Sequence, residues 1–489
     1  QSYRYPTPTT IDVFYTNSEG YLITPEVLSY GEYTLVEVQA PYGYVLDSTP
    51  VSFTISAENA EEENALTIVK VNKENIAQKG RISVQKTGDS FVSVAAASSA
   101  YTDENGEMIV NPTTYTPVFA NGNLSGAVFQ VIASEDIVTL DGTIRANAGD
   151  VVAELKTDEN GYAETDLLYL GKYEVKEITV PYGYVLNSES QVVELVYAGQ
   201  EIAVLDTVNT SFVNDYQGVE ISLSKVMESD ELFGIYGKDY YTSVRFGLFT
   251  AEDITAADGT VIPADGMISE VSLDENMTAK FDVQIPFGRY YGKEISTDEH
   301  YVLNGEKYLV NFEYMGQDIQ NVDIDCGQFV NLLKRGRIEG HKVDDKSEPL
   351  ENAVFGLFTA DCVKFSRDTA IMTAASDENG CFEFTDVPFG QYIVREIESP
   401  SGYILSDKEY AVSISEDGEV IEITTENKPI TVEISKRDVY GNELKGAKMQ
   451  IIDSEGNIVD EWTSDGTDHI VTKIPVGNYT LKEIAAPDG

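Results

Sequence analysis

The chain has 489 residues, and its formal net charge of −50 makes nucleic acids and anionic membranes unfavourable partners. Its 42% hydrophobic content, with 30 Tyr and 19 Phe, can build several β cores, and no apolar run is long enough to span a membrane. Runs rich in Val, Ile, Thr, Tyr and Phe between Gly, Asn and Asp predict strands and turns throughout. Three cysteines are too few for a disulfide framework, although Cys362 and Cys381 could pair.

One predicted strand recurs along the chain: it opens with tyrosine, carries a glutamate four residues later and ends in a turn. The copies are YTLVEVQAPYGYVL from Tyr33, YEVKEITVPYGYVL from Tyr173, YYGKEISTDEHYVL from Tyr290, YIVREIESPSGYIL from Tyr392 and YTLKEIAAPDG from Tyr479. Their glutamates are Glu37, Glu177, Glu294, Glu396 and Glu483. The copies lie roughly 90 to 140 residues apart, which suits one small domain each rather than a solenoid.

This recurrence divides the chain into five repeats, named here by their order. They cover residues 1–78, 79–216, 217–334, 335–428 and 429–489. We expect the first to be a partial β-sandwich lacking its N-terminal strand, and the fifth to be one lacking its C-terminal strand, as in a window cut from a longer protein. The second carries an insertion at about 91–123. Short linkers with few glycines, such as NDYQG and NLLKRG, predict a semi-rigid rod.

The tetrapeptide DENG occurs between strand-like runs, at Asp103, Asp158 and Asp377. Asn-Gly favours a tight reversal of the chain. A calcium loop would need oxygen ligands at alternating positions and a closing glutamate, which this series lacks. The pattern therefore indicates turns.

The recurring glutamate lies on the apolar face of its predicted strand. Tyr173, Val175 and Glu177 share one face, because successive strand residues point to opposite sides. An ionised carboxylate in an apolar core is costly, so it is usually paired or protonated. Each glutamate therefore needs a buried partner.

A lysine near the start of four repeats supplies such a partner. It follows alternating residues on one face in RISVQK, VEISLSK, RIEGHK and ITVEISK, and the lysines are Lys86, Lys225, Lys342 and Lys436. Lysine is rarely buried unless it is paired, and we expect all four to face the core. The first repeat has no lysine before Lys70.

An asparagine closes the last predicted strand in the same phase. SFVN, QFVN and IEITTEN place Asn214, Asn331 and Asn427 on the apolar face, and LTIVKVN places Asn72 there, although Lys70 on that face weakens the register. The fifth repeat reaches Gly489 without such an asparagine. Lysine, glutamate and asparagine are thus predicted to converge on one core.

This trio has a specific chemistry. Burial lowers the pKa of lysine and raises that of glutamate, so the pair can exist as a neutral amine and a carboxylic acid. The amine can then attack the side-chain amide of asparagine while the acid polarises its carbonyl and moves protons as ammonia leaves. No metal or cofactor is required. The alternative is a plain buried ion pair.

The stretch YTLVEVQAPYGY resembles the E-box of Gram-positive pilins and surface adhesins. Together with the lysine strand, the segments GAVFQV and NAVFGLF, the DENG turn and the terminal asparagine, it is similar to Cna protein B-type, or SpaA-like, domains. The resemblance covers nearly the whole chain. It implies an all-β fold of tandem immunoglobulin-like β-sandwiches in an elongated rod.

The resemblance also implies roles for the residues named above. The isopeptide donor matches Lys86, Lys225, Lys342 and Lys436, the catalytic acid matches the five glutamates, and the acceptor matches Asn72, Asn214, Asn331 and Asn427. It implies a stalk at the extracellular cell surface, anchored to the cell wall through a segment outside this sequence. The implied partners are a host or environmental protein or glycan, or neighbouring copies in a fibre. The third repeat departs from the motif, with TDEH in place of the usual Pro and Gly.

Two other functional classes remain open. The insertion from Phe91 to Asn123 could carry the ligand site of an adhesin, or could be an added edge strand. An enzyme is the other class, but His300, His341 and His469 show neither metal-site nor catalytic-triad spacing, and a strongly acidic chain pairs carboxylates by chance. The sequence therefore favours a structural protein without enzymatic turnover.

Overall fold

The computed structural model describes residues 13–24, 27–58, 61–63, 66–102 and 107–487. Within those ranges the chain is almost entirely strand and turn, with one 3₁₀ turn at Asp239–Tyr241. No helix in this part of the chain is long and apolar enough to cross a membrane. The predicted all-β class of tandem sandwiches is confirmed.

The first repeat contributes two strand pairs. The strands are β1 (Gly31–Leu35), β2 (Val51–Ile55), β3 (Glu61–Glu63) and β4 (Leu66–Ile68). Strand β1 pairs antiparallel with β2, and β3 with β4.

The second repeat forms two facing sheets. Its strands are β5 (Lys79–Gly80), β6 (Ile82–Ala97), β7 (Ala100–Thr102), β8 (Met108–Val110), β9 (Thr114–Asn123), β10 (Val128–Ala133), β11 (Ile137–Val138), β12 (Ile144–Ala146), β13 (Val151–Lys156), β14 (Tyr162–Glu164), β15 (Leu168–Tyr169), β16 (Gly171–Thr179), β17 (Ser190–Leu195) and β18 (Val208–Asn214). One sheet has the order β14-β6-β18, and the other has the order β13-β10-β16-β17.

The third and fourth repeats have the same two-sheet arrangement. The third consists of β19 (Gly218–Met227), β20 (Arg245–Thr250), β21 (Ile254–Thr255), β22 (Val261–Ile262), β23 (Met267–Ser272), β24 (Thr278–Phe281), β25 (Gly288–Ser296), β26 (Tyr308–Phe312) and β27 (Asn321–Asn331). The fourth consists of β28 (Arg335–Asp344), β29 (Val354–Thr359), β30 (Met372–Ala375), β31 (Cys381–Pro388), β32 (Gly390–Glu398), β33 (Glu409–Ile414) and β34 (Val420–Asn427). Their sheets have the orders β24-β19-β27 and β23-β20-β25-β26, then β31-β28-β34 and β30-β29-β32-β33.

The fifth repeat forms two smaller sheets. Its strands are β35 (Thr431–Ile434), β36 (Lys445–Ile452), β37 (Ile458–Asp465), β38 (His469–Thr472) and β39 (Thr480–Ala485). Among the described residues β35 pairs only with β38, and the other sheet has the order β37-β36-β39.

The cores of the second, third and fourth repeats lie between their two sheets. In the second repeat, Ile82 and Val84 on β6 face Phe129 on β10 and Tyr173 and Val175 on β16, and all five are buried. Equivalent buried clusters fill the third and fourth repeats. Alternation of apolar and polar residues thus sets which face of each strand is inside.

The insertion in the second repeat forms a long β-hairpin. Strand β6 continues past the sandwich to Ala97, and β9 returns antiparallel to it, with Ala97 opposite Thr114. Thr114 also bridges Met267 on β23 of the third repeat. The insertion therefore forms paired strands, which agrees with the interpretation that it adds a strand at the edge of the sandwich.

The three cysteines are free thiols: Cys326 is buried, Cys362 is partly buried and Cys381 is exposed. The disulfide between Cys362 and Cys381 that the sequence allowed is therefore absent.

Candidate functional site

The first and last strands of three repeats are parallel neighbours, and this pairing brings lysine and asparagine together. Lys86 lies opposite Phe212, two residues before Asn214 on β18. Lys225 is likewise opposite Phe329, and Lys342 is opposite Thr425, so Asn331 and Asn427 follow at the same offset. Because side chains alternate with a period of two, each lysine and its asparagine point to the same face.

The glutamate of each site lies on the opposite sheet, beside a β-bulge. Glu177 pairs with Phe129 next to a register shift, and the same irregularity occurs at Glu294 with Phe246 and at Glu396 with Phe355. Bulges re-aim side chains next to active sites. The phenylalanine rings lie 5.8, 5.8 and 5.6 Å from the Nζ atoms of the three lysines, so the amines sit against apolar walls.

In the second repeat the glutamate lies between lysine and asparagine. Lys86 Nζ is 3.1 Å from Glu177 Oε2, and Asn214 Nδ2 donates to the same oxygen at 2.8 Å. All three side chains are at most 1% exposed. Glu177 Oε1 and Asn214 Oδ1 have no hydrogen-bond partner.

The third repeat holds its three groups in a closed ring of contacts. Lys225 Nζ is 2.8 Å from Glu294 Oε1 and donates to Asn331 Oδ1 at 2.5 Å. Asn331 Nδ2 donates to both carboxylate oxygens, at 3.0 and 2.8 Å, and to Thr297 Oγ1 at 2.8 Å. The backbone N–H of Asn304 also donates to Glu294.

The fourth repeat repeats this arrangement. Lys342 donates to Asn427 Oδ1, and its Nζ lies 3.3 Å from Glu396 Oε1. Asn427 Nδ2 donates to the same oxygen at 2.9 Å, and the Ser406 N–H donates to Oε2. Lys342, Glu396 and Asn427 are all buried.

Burial shifts the pKa values of the three lysines and of Glu177 in the direction that favours their neutral forms. Desolvation lowers the pKa of Lys86, Lys225 and Lys342, although the adjacent carboxylates oppose that shift. Desolvation also raises the pKa of Glu177. A neutral amine beside a protonated acid and a carboxamide is the reactive state for amide exchange.

The DENG turns of the second and fourth repeats hold the backbone of the lysine strands in place. The Lys86 N–H donates to the carbonyl of Gly161, and the Lys342 N–H to that of Gly380, both at 2.7 Å. A Cβ on either glycine would lie 2.3 Å from the carbonyl oxygen of that lysine. The DENG glycines at these two sites are therefore needed for close approach as well as for the turn.

The first repeat places a different asparagine on its glutamate from the one predicted. Asn75 Nδ2 donates to Glu37 Oε2 at 2.6 Å, and the Asp47 N–H donates to the same oxygen, whereas Asn72 is exposed. The prediction extended the strand alternation to Asn72, but β4 ends at Ile68, so the period of two no longer applies there. The structure thus places Asn75, and not the predicted Asn72, against Glu37.

A second signal in the sequence identifies Asn75. Asn75 precedes Gln78 by three residues, as Asn214 precedes Gln217. The backbone of Tyr44 forms an isolated antiparallel β-bridge with Ala77, and Tyr184 forms the same bridge with Tyr216. Asn75 lies two residues before Ala77, and Asn214 lies two residues before Tyr216. Asn75 is therefore the structural equivalent of Asn214.

In the fifth repeat the expected inward lysine is partly exposed. Lys436 Nζ lies 3.1 Å from Glu483 Oε2, but the two side chains are 26% and 35% exposed. In the complete sandwiches a third strand lies parallel to the lysine strand, and among the described residues β35 has no such neighbour. The fifth repeat thus brings Lys436 and Glu483 together without the buried environment.

The three histidines lie in separate local contacts. His300 Nδ1 is 2.7 Å from Asp298, His341 Nε2 contacts the Asn379 carbonyl, and His469 stacks on Trp462.

Comparison with known proteins identifies the family to which these domains belong. A family model for SpaA, a prealbumin-like fold domain, matches residues 5–70, 116–210, 336–429 and 430–489, more than half of the chain. The chain belongs to this family. The matched ranges leave out the third repeat, which nevertheless shares the sheet orders and the lysine–glutamate–asparagine cluster of its neighbours. No curated protein sequence matches the chain.

Several solved structures are similar to this chain over part of their length or its own. The TIE protein of Bacillus anthracis is 19% identical, with 83% of this chain and 76% of that chain covered and a TM-score of 0.48. The major pilin subunit BcpA of Bacillus cereus is 16% identical, with 72% and 100% covered and a TM-score of 0.30. The major pilin SpaD of Corynebacterium diphtheriae is 14% identical, with 72% and 98% covered and a TM-score of 0.20.

Proposed function

We propose that this chain is a stalk region of a Gram-positive cell-surface adhesin or pilus protein, cross-linked by autocatalytic Lys–Asn isopeptide bonds. The bonds join Lys86 to Asn214, Lys225 to Asn331 and Lys342 to Asn427. The observation that carries the proposal is the recurrence of one buried cluster at the same place in three repeats. A plain ion pair would explain one such cluster, but it gives no reason for a carboxamide in every one of them.

The reaction needs only the residues of each cluster. A proton moves from the lysine ammonium to the glutamate, and the neutral Nζ attacks the asparagine Cγ. The glutamic acid polarises the carbonyl, accepts the proton of the attacking amine and delivers a proton to Nδ2, which leaves as ammonia. One amide bond forms and one breaks, so no oxidant or energy source is consumed. The protein acts once on itself and turns over no external substrate.

In the third and fourth repeats the lysine already lies within hydrogen-bond distance of the asparagine carbonyl, and in the second repeat Lys86 and Asn214 contact the same oxygen of Glu177. Effective concentrations of such held groups far exceed those of free side chains, which is the usual source of rate in intramolecular reactions. The glutamate proton reaches the carbonyl when the carboxamide turns about its Cβ–Cγ bond, which exchanges the positions of Oδ1 and Nδ2.

Intact-mass measurement tests the proposal. The folded chain should be lighter than its sequence by three ammonia molecules, and digestion should yield three cross-linked peptides, one from each pair. The matched control is the triple variant Lys86→Ala, Lys225→Ala, Lys342→Ala, which should have its full sequence mass. An unshifted mass for the folded parent chain would leave only the ion-pair explanation.

We further propose that the five repeats are successive domains with the boundaries given above, displayed outside the cell. The partial first and fifth sandwiches are supported by their incomplete sheets among the described residues. The net charge of −50 supports a solvated, self-repelling surface. Neighbouring copies, or a host protein or glycan, are the partners that suit such a stalk.

The alternative of a ligand site in the insertion has less support. Phe91, Val94 and Tyr115 of the hairpin pack against the core of the third repeat, so the base of the insertion is used in a contact within the chain. Met108 and Val110 near its tip are exposed and are what a ligand could reach. Loss of binding to host cells on deletion of the tip alone would favour that alternative.

A further inference from the structure

Thr297 contacts the side chain that would lose ammonia in the third repeat. Its Oγ1 accepts a hydrogen bond from Asn331 Nδ2 at 2.8 Å, in addition to the bonds that Nδ2 makes to Glu294. Thr297 is half-buried and lies three residues after Glu294, in the stretch where this repeat departs from the E-box pattern. The departure therefore adds a polar group to the site.

In the part of the chain that the structure describes, the second and fourth repeats show no such contact. The equivalent position is Val180 in the second repeat, which has no hydroxyl, and Asn214 Oδ1 and Glu177 Oε1 there lack partners. In the fourth repeat it is Ser399, whose Oγ donates to the Tyr403 carbonyl at 3.1 Å. Thr297 thus gives the third site a contact to the carboxamide nitrogen that the sites of the second and fourth repeats do not show.

We propose that Thr297 is a positioning residue that orients the Asn331 carboxamide for attack by Lys225. The inference rests on the proposed isopeptide function. A carboxamide that donates to Glu294 and Thr297 and accepts from Lys225 is restrained from turning out of the plane that these contacts define. Because a hydroxyl both accepts and donates, Thr297 can hold the carboxamide before and after Oδ1 and Nδ2 exchange places.

The test follows bond formation over time. The chain is made by cell-free translation, samples are quenched in guanidinium at intervals, and the three cross-linked peptides are quantified by mass spectrometry. Thr297→Val, which keeps the shape but removes the hydroxyl, should slow the Lys225–Asn331 bond roughly tenfold, the effect of losing one hydrogen bond. Thr297→Ser should restore the rate. Ser399→Ala is the matched control and should not change the Lys342–Asn427 rate.

The other two bonds report separately on the proposed function. If they form while Thr297→Val leaves the third-repeat rate unchanged, the inference about Thr297 is wrong and the isopeptide function stands. If no cross-linked peptide appears at any site, the function itself fails. Slowing by both valine and serine would show a purely steric role and would equally overturn the inference.

Different contacts carry a second inference, about the joint between the second and third repeats. The Val94 N–H donates to Thr260 Oγ1 at 2.8 Å, and the carbonyls of Phe91 and Val92 accept from the N–H groups of Ala257 and Asp258 at 3.3 and 3.1 Å. The hairpin of β6 and β9 is thus hydrogen-bonded to the third repeat as well as packed on its core.

A glutamine reinforces the same joint. Gln317 accepts from the Val180 N–H at 3.2 Å and donates to the Ile178 carbonyl at 3.3 Å. The joint between the first and second repeats has the equivalent contact, in which Gln200 accepts from the Ala40 N–H at 2.9 Å. It has no counterpart of the hairpin among its described contacts.

We infer that the hairpin locks the second and third repeats into one rigid unit. Spin labels at the exposed positions Ala148 and Glu306, in a chain with its cysteines replaced by serine, should give a narrow distance distribution. Replacing residues 91–119 by Asn-Gly, a two-residue turn between the paired Ser90 and Ala120, should broaden that distribution at least twofold. Replacing only residues 98–113 by Asn-Gly keeps the paired strands and should not.

An unchanged width after removal of the whole hairpin would overturn the inference, because the glutamine contacts alone would then suffice. Broadening by the tip replacement would also overturn it, since the tip lies beyond the contacts described. Thermal unfolding of each variant shows that the sandwiches themselves remain folded.

Discussion

Asn75 and Glu37 are joined by a 2.6 Å hydrogen bond, although Asn75 lies outside any strand. We expect Asn75→Ala to loosen the loop that Glu37 holds, since the carboxylate loses one of its two donors. Hydrogen exchange at the Asp47 amide, which donates to the same oxygen at 2.9 Å, should speed up roughly fivefold, the effect of about 1 kcal/mol. Asn72→Ala, at the exposed neighbour, is the control and should leave that exchange unchanged.

Glu177→Ala should leave Lys86 and Asn214 in place but unjoined, because the group that polarises the carboxamide and carries the protons is gone. The mass should then show two ammonia losses instead of three. Glu174→Ala, on the other face of β16, should retain all three. Loss of three ammonia molecules from the Glu177→Ala chain would mean that another acid polarises the Asn214 carboxamide.

The Glu177→Ala chain should also become more stable as the pH rises above neutrality. Burial lowers the pKa of Lys86 in the folded state, whereas the unfolded lysine keeps its ordinary value of 10.5. Between the two values the unfolded state binds more protons, so the free energy of unfolding increases with pH. Hydrogen exchange of the Val84 and Val175 amides, corrected for intrinsic exchange rates, measures this free energy at each pH. Adding Lys86→Met should remove the slope, and a slope that survives would point to another group.

Pulling on the chain should not extend the second, third and fourth repeats to their full lengths. Force enters each through its first and last strands, which are parallel neighbours and are loaded in shear. The covalent bonds would close loops spanning 106 and 85 positions in the third and fourth repeats. Lys342→Ala should release roughly 300 Å of chain, at about 3.5 Å per residue, in single-molecule force spectroscopy. Release of that length by the parent chain would exclude the bond.

Cross-linking should also raise stability without sensitivity to reductants. Treated like a disulfide of similar loop length, each bond contributes roughly 4–5 kcal/mol by restricting the unfolded chain. Lys225→Ala should therefore unfold in its third repeat at lower denaturant concentration than the parent, with or without dithiothreitol. Equal midpoints would show that the bond is absent or energetically neutral.

The sequence predicted the sites of the complete repeats because alternation is reliable inside a strand. Lys86 and Asn214 lie on regular stretches of β6 and β18, so their phase with neighbouring apolar residues indicates the core. Asn75 was missed because it lies after β4, where local alternation says nothing about direction. Only comparison with the Asn214 and Gln217 spacing would have identified it.

Other features depend on contacts distant in sequence. Lys436 has the same phase as Lys86, but phase does not show whether a third strand covers the site. The β-bulge beside each glutamate arises from pairing with a strand far along the chain. The packing of Tyr115 on the third repeat is likewise a contact between separate sandwiches, which no local pattern encodes.

The parallel pairing of first and last strands determines which segments of the chain would carry tension, and therefore which segments could vary during evolution. Once Lys86 is bonded to Asn214, and likewise in the next two repeats, tension would follow a short route. It would run through residues 215–224 and 332–341 and across the three new amides, while the rest of each sandwich remained slack. Insertions in the exposed loops of the bypassed segments, the long hairpin included, and backbone cleavage there after the bonds have formed would then leave the tensile strength of the chain intact. Variation in such a protein should accumulate in those loops, whereas the glutamates that promote the bonds and the two short connecting segments should tolerate the least.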